Sequence, residues 1–427
     1  MNAEALRTRL RNGACRKNLS RLYCCPGETA DAFARRFADL VDTFENAFGP
    51  SDEIALFSAP GRTEIGGNHT DHQHGCVLTG AVNRDIIAAA AANQLGVVRL
   101  QSGDAKLETV DLSGKKPERD ETFTPRSLVR GIAVRLEEMG HAIGGVDICA
   151  SSDVPVGSGL SSSAAFEILI GNILNSLFCR GSVPPAELAK AGRYAENHFF
   201  GKPCGLMDQL ASSLGGLLFI DFRDPETPLV RRLNLDLQAF GYAMCIVDSG
   251  ADHAGMSGIY AEIPAEMEAV AACFGQSRLR EVEKAAFLAN LPAVRKKAGD
   301  RAILRSLHFF NDTRRAREEE AALREGRFAD FLALFNASRQ SSWMYLQNVS
   351  LPGSSSRQEV ALALALCGEL LGEEGGFRVH GGGFAGTVQA FVPLPRLADF
   401  VRGIEAFLGQ GACHVLYIRG VGGIRLA

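Results

Sequence analysis

The stretch Pro155-Val156-Gly157-Ser158-Gly159-Leu160-Ser161-Ser162-Ser163 narrows the possible folds of this chain more than any other. It follows a β-branched run, Val146 to Ala150, and leads straight into Ala164 to Leu177, whose side chains are apolar all round. Strand, glycine loop, buried helix is an order that binds phosphate. Glycines let the backbone approach phosphate oxygens, and the free N–H groups at the helix start stabilise negative charge. The serines add donors and a candidate Mg2+ ligand, although serine and glycine also serve as ordinary caps and turns. A P-loop does not fit, since Gly250 to Ser257 has the glycine spacing but carries Met256 where lysine is required. Nor does a dinucleotide fold, because the loop sits mid-chain and opens a helix of small residues without a clear acidic partner.

Around this loop the patterns alternate. Thr29 to Phe48 places Phe33, Phe37, Leu40, Val41, Phe44 and Phe48 at helical spacing, and Gly49-Pro50 ends it. Short strands are expected at Ile54 to Phe57, Ile86 to Ala90 and Val97 to Gln101, a second helix at Pro185 to Phe200, and further strands at Leu217 to Asp221 and Tyr242 to Val247. From Ile259 to Phe335 the pattern is helical and charged. The end of the chain reads as helix Gln358 to Leu371, a glycine-rich turn and strand from Gly375 to Val392, helix Pro395 to Leu408 and strand Cys413 to Ile418. Strands interleaved with helices in both halves predict an α+β protein of two domains, residues 1–225 and 226–427.

Composition limits the partners. With 427 residues, 46% hydrophobic and 22% charged, the chain has an ordinary globular balance. Its net charge of −4 supplies no field for nucleic acid or an anionic membrane. Eleven cysteines without paired zinc spacing read as reduced thiols, which fits a cytoplasmic protein. No run reaches the length of a membrane span, and the arginine-rich start reads as a surface helix rather than a transit peptide. A small soluble substrate is expected, with no nucleic acid and no membrane partner, and a monomer or weak homo-oligomer.

The second dense feature is Gly61-Arg62-Thr63-Glu64-Ile65-Gly66-Gly67-Asn68-His69-Thr70-Asp71-His72, read as a glycine-rich loop between two strands. Asp71 and His69 can hydrogen-bond several sugar hydroxyls, and Arg62 can stabilise charge on a transferring phosphoryl group. A metal site at His69, His72 and His74 is the alternative, yet the spacing matches no helical histidine pattern.

These residues resemble the GHMP kinase superfamily and, within it, the galactokinase family, whose signature reads approximately Gly-Arg-Val-Asn-Leu-Ile-Gly-Glu-His-Thr-Asp-Tyr. The loop at Pro155 to Ala165 is similar to the family's ATP motif, and Gly381-Gly382-Gly383-Phe384-Ala385-Gly386 to its third glycine motif. Pro203-Cys204-Gly205-Leu206-Met207-Asp208-Gln209 is similar to Pro-Cys-Gly-Ile-Met-Asp-Gln. The resemblance implies Asp208 as the catalytic carboxylate with Arg62 beside it. It implies Asn68, His69, Asp71, Gly205 and Tyr260 on the sugar, and Gly157, Ser158, Gly159, Leu160, Ser161, Ser162 and Ser163 on ATP. Ser163, with Ser162 as the alternative, and Glu196 would hold Mg2+. The implied reaction is ATP-dependent phosphorylation of galactose at its C1 hydroxyl, in a cleft between the two domains. Asn68 and His72 depart from the signature's Glu and Tyr. Because that glutamate faces C6 of the sugar in the family, C6 recognition is expected to be relaxed or altered, which would admit arabinose, a galacturonate or a substituted galactose. A non-catalytic sugar and ATP sensor is a rival that the pairing of Arg62 with Asp208 argues against. A serine hydrolase, suggested by His380-Gly381-Gly382-Gly383, lacks its nucleophile elbow.

Overall fold

The computed structural model describes residues 1–25, 27–103, 105–155, 157–251 and 256–427, the side chain of Ser257 excepted. Val156 of the phosphate loop and residues 252–255 of the P-loop-like stretch lie outside the described residues.

Three helices open the chain: α1 (Ala3–Arg11), α2 (Arg16–Tyr23) and α3 (Gly27–Phe48). Arg7 on α1 bonds Asp42 at 2.5 Å and also Glu45, both on α3, so the basic N-terminal segment forms a docked helix pair. Then come β1 (Ala55–Gly66), β2 (Cys76–Ala92), β3 (Val97–Ser102), β4 (Glu108–Asp111), α4 (Pro125–Glu138) and β5 (Val146–Ser152). After the serine-glycine loop follow α5 (Ser162–Phe178), α6 (Pro185–Ala195), a π-turn at Glu196–Phe200, α7 (Met207–Leu214), β6 (Leu217–Asp221) and β7 (Leu229–Leu233).

The rest of the chain is β8 (Tyr242–Ala251), α8 (Ser257–Ala272), α9 (Lys284–Ala289), α10 (Leu291–Ala298), α11 (Asp300–Arg324), α12 (Phe328–Ser341), α13 (Glu359–Leu371), β9 (Gly376–Val379), β10 (Gly386–Pro393), α14 (Leu397–Leu408), β11 (Cys413–Leu416) and β12 (Ile424–Arg425). The segment Gly375 to Val392 is thus two strands, β9 and β10, hinged at the third glycine motif.

Two sheets divide the molecule. One runs β12-β1-β2-β5-β3-β4, with β6 on β2 and β7 on β6; the other runs β11-β8-β10-β9. The first sheet therefore includes the chain's last strand, which pairs Ile424 with Ser58 and Arg425 with Phe57. Helix α5 packs against β1, β2, α4, α6 and α7. Burial on every side explains why its sequence shows no polar face.

The largest departure from the sequence reading is the signature segment. Arg62 to Gly66 belongs to a strand, in register with Leu78 to Ala81 of β2 across irregularities at Pro60/Arg62 and Glu64/Gly66. Bulges accommodate the proline and glycines that make the segment read as a loop. Gly61 is required for another reason: a Cβ there would lie 2.7 Å from the carbonyl oxygen of Leu160, which accepts the Arg62 N–H at 2.9 Å.

Asp85 joins the sheet to both ends of the chain. Fully buried on β2, it accepts from Tyr23 Oη at 2.6 Å, Arg36 Nη1 at 2.6 Å, Arg419 Nη1 at 3.1 Å and the Ser58 hydroxyl. Burial pushes its carboxyl up, but Arg36 and Arg419 outweigh burial and hold it below the usual range. Asp85→Asn would leave the fully buried Arg419 without its counter-charge. A loss of about 3–5 kcal/mol is expected, read as a fall in the urea midpoint.

Candidate active site

Four segments meet in a cleft of about 190 Å3: β1, the turn that follows it, the start of α7, and the β9–β10 turn. Its lining includes Arg62, Glu64, His69, Asp71, Gly205 and Asp208, with Cys204, Met207, Gly381 and Gly382 completing the wall.

The centre is an ion pair. Arg62 Nε donates to Asp208 Oδ1 at 2.6 Å and Nη2 to Oδ2 at 2.5 Å, a two-pronged contact that fixes both planes. Arg62 Nη1 reaches the carbonyl of Gly159, and Ser161 Oγ donates to Asp208 Oδ2 at 2.7 Å. The serine-glycine loop is thereby tied to both members of the pair. Within it Gly157 and Gly159 have φ of +76° and +69°, and Ser161 adopts the left-handed conformation just before α5 begins at Ser162. At Gly159 a side chain is excluded by space as well, since its Cβ would lie 2.8 Å from His380 Nδ1. Ser158 is buried, its hydroxyl donating to Pro155 O at 2.7 Å, while Leu160 is buried in the core and Ser161, Ser162 and Ser163 are half-buried.

Two carboxylates in this cleft are driven in opposite directions. Burial pushes Asp208 up, yet the charge and hydrogen bonds of Arg62, with the Ser161 hydroxyl, bring it below the usual carboxylate range. Asp71 has no such partner. Burial first, then the charges of Asp208 and Glu64, raise it to about 6. His69 donates from Nε2 to the carbonyl of Gly382 at 2.9 Å, and burial lowers its pKa, so the ring is neutral and Nδ1 is left as an acceptor.

Asn68 and Tyr260 stand apart from the lining. Asn68 is fully buried: its amide donates to Glu64 Oε1 at 2.9 Å and Gly381 O at 2.6 Å, while Oδ1 accepts from Asn348 at 3.0 Å. Its carbonyl accepts from His308 Nε2 at 2.8 Å and its N–H donates to Asp312 at 3.1 Å. Tyr260 Oη donates to Gly383 O at 2.9 Å and buttresses the third glycine motif. Neither nitrogen of His72 has a hydrogen-bond partner, and no cluster of three metal-ligating side chains occurs among the described residues.

Glu196 opens the π-turn and is buried beside Glu167. One amide group, Gln209 Nε2, donates to both carboxylates at 3.0 Å, and Lys202 lies 3.4 Å from Glu196. Glu167 Oε1 has no hydrogen-bond partner among the described residues. No hydrogen bond joins Ser163 to Glu196 among the described residues. Buried carboxylates with an unsatisfied oxygen, near a helix that begins with serines, are the hard donor chemistry that suits Mg2+.

Glu64, Cys204, Met207, Gly381 and Gly382 line the cleft without having been singled out from sequence as site residues. For Glu64 the signal is its position two residues beyond Arg62, which matters only once the segment is known to be a strand.

Fold and cleft define a kinase of the GHMP class. The model of the GHMP kinases N terminal domain matches residues 127–216, and that of the galactokinase galactose-binding signature matches residues 42–92. Galactokinase of Streptomyces coelicolor is 31% identical over 381 residues, which is 87% of this chain and 92% of the relative. Galactokinase of Glaesserella parasuis is 32% identical over 360 residues, 82% of this chain and 88% of the relative. The structure of Lactococcus lactis galactokinase complexed with galactose shares the fold, with a TM-score of 0.79 at 24% identity over 91% of this chain and 100% of that one. The chain belongs to the galactokinase family.

The Asp71 shift gives a pH dependence. Protonation removes an acceptor, so kcat/KM for the phosphoryl acceptor should fall as pH drops through about 6, and Asp71→Asn should abolish that limb. Because the folded pKa is raised, this group stabilises the ligand-free fold as pH falls from about 6 toward about 4. A melting temperature that does not fall across this window would separate the limb from unfolding.

Proposed function

We propose that the protein transfers the γ-phosphoryl group of ATP to the C1 hydroxyl of galactose, giving galactose 1-phosphate and ADP. The observation that carries this reading is the fork of Arg62 on Asp208, with Ser161 of the serine-glycine loop bonded to the same carboxylate. Phosphoryl transfer depends mostly on positioning and on charge stabilisation at a loose transition state, and this arrangement offers both.

In this reading, loop residues Gly157 to Ser163 and the N-terminus of α5 receive the phosphates through backbone N–H groups. Asp208 hydrogen-bonds the attacking hydroxyl and Arg62 stabilises charge on the γ-phosphoryl oxygens. The hydroxyl oxygen bonds to the γ-phosphorus as the bond to the bridging oxygen of ADP breaks, and the proton passes to Asp208. A carboxylate held below its usual range is a weak base, so Asp208 chiefly orients the hydroxyl and takes the proton late. Asp71 and the free Nδ1 of His69 accept from other sugar hydroxyls, with Gly205 beside them. Tyr260 acts by supporting the glycine turn. Ser163 and Glu196 would hold Mg2+, which when bound supplies charge neutralisation at the phosphates.

Asp208→Asn should lower kcat by about 10²–10⁴-fold while calorimetry still detects galactose binding. ADP release from ATP with galactose is the assay, and NMR of the product assigns the phosphorylated position. An Asp208→Asn enzyme with wild-type kcat would remove the carboxylate from the mechanism, and no ADP release by the wild type with galactose would overturn the reading.

A further inference from the structure

Glu64 carries a feature that the transfer chemistry leaves unused. Its Oε1 is held from behind, accepting from Asn68 Nδ2 at 2.9 Å and from Arg378 Nη2 at 2.7 Å. Arg378 is itself fully buried and braced by a bond from Nη1 to Ser338 Oγ at 3.0 Å. Among the described residues nothing donates to Oε2, although Glu64 belongs to the cleft lining. A carboxylate fixed through one oxygen, with the other unengaged in a cleft, is a preset acceptor for a ligand hydroxyl.

Its position says which kind of hydroxyl. Residues two apart on a strand point to the same side and are about 6.5 Å apart along it. Arg62 marks the transfer centre through its bonds to Asp208, so Glu64 stands roughly one sugar ring's width away. Asp71 lines the same cavity and is near enough to feel the charges of both Asp208 and Glu64. Glu64 therefore meets the sugar far from the reacting oxygen.

The exchange of residues within the signature segment now has a physical meaning. Position 64 carries Glu where the signature has Asn, and position 68 carries Asn where the signature has Glu. The two side chains bond each other, and of the two it is Glu64 that lines the cleft. Three carboxylates, Glu64, Asp71 and Asp208, line the cavity with Arg62 as their cation there.

We propose that Glu64 is the specificity-determining acceptor for a sugar hydroxyl remote from the one phosphorylated, and that the cleft selects neutral sugars and excludes uronates. This rests on the reading of the cleft as a sugar site. It replaces the expectation, drawn from Asn68 alone, that a charged acceptor is lost and galacturonate is admitted. A buried acceptor penalises an analogue that lacks the donor, because the acceptor is left unpaired, and it repels a carboxylate set in the same place.

The test is calorimetric binding of galactose, its 2-, 3-, 4- and 6-deoxy analogues and galacturonate to the full chain and to Glu64→Gln, with thermal melts to verify folding. The wild type should bind one deoxy analogue at least about 100-fold more weakly than galactose, and galacturonate should be weaker still. Glu64→Gln should shrink the discrimination against that same analogue by about 10-fold or more. Unchanged ratios in a folded Glu64→Gln overturn the proposal, as does wild-type binding of galacturonate as tight as that of galactose. The galacturonate arm decides the matter even if the variant fails to fold. A wild type that binds galactose but shows these contrary ratios sinks only the role of Glu64, whereas one that binds none of the sugars sinks the sugar-kinase reading together with it.

Discussion

The Arg62–Asp208 pair is the constraint on which the rest of the site depends. Its two halves come from elements far apart in sequence, β1 and the first turn of α7, and the loop between β5 and α5 is bonded to both. Losing either charge would leave the other partly buried without compensation, a strongly unfavourable state. The same pair sets the electrostatic asymmetry of the cleft. Asp71 and Asp208 share one cavity, and of these two only Asp208 is bonded by a guanidinium, so one carboxyl sits low and its neighbour high. Environments that push like groups apart are how a protein assigns them different tasks.

A second set of contacts holds the two sheets in the geometry this pair needs. Thr63, between Arg62 and Glu64 on β1, meets His380 at 2.9 Å and Gln389 at 2.6 Å. His380 in turn meets Thr387 at 3.0 Å, whose hydroxyl donates to Ser158 O at 3.0 Å. One buried chain of side chains thus runs from the signature strand through the second sheet to the phosphate loop. The far side of the signature turn is fastened to α11 by His308 and Asp312. These bonds explain why a glycine-rich turn from the distant end of the chain belongs to the site at all.

Much of this could be read from residue types, and the limits of that reading are physical. The serine-glycine loop and the helix after it carry local signals, because spacing and composition express them, whereas Asp208 is named only by the resemblance of Pro203 to Gln209 to the family's motif. The signature strand does not, since Pro60, Gly61, Gly66 and Gly67 read as turn residues unless bulges and the packing against Leu160 are known. Asn68 aligned with a sugar-binding position, yet its amide is spent on Glu64, Gly381 and Asn348, and only tertiary structure reveals which of two neighbouring polar side chains faces the ligand. Ile424–Arg425 is too short to register as a strand by any periodicity, and its pairing with β1 is a non-local fact.

That last pairing shapes what motion the molecule can have. The chain leaves the first sheet after β7 and re-enters it at β12, so the β8–β11 layer is moored by two covalent crossings rather than one. The returning segment is also clamped, with Arg419 N–H on Ala81 O and its guanidinium in the Asp85 cluster. Two covalent crossings leave that layer, and the glycine turn it carries, fewer positions relative to the signature strand than a single tether would.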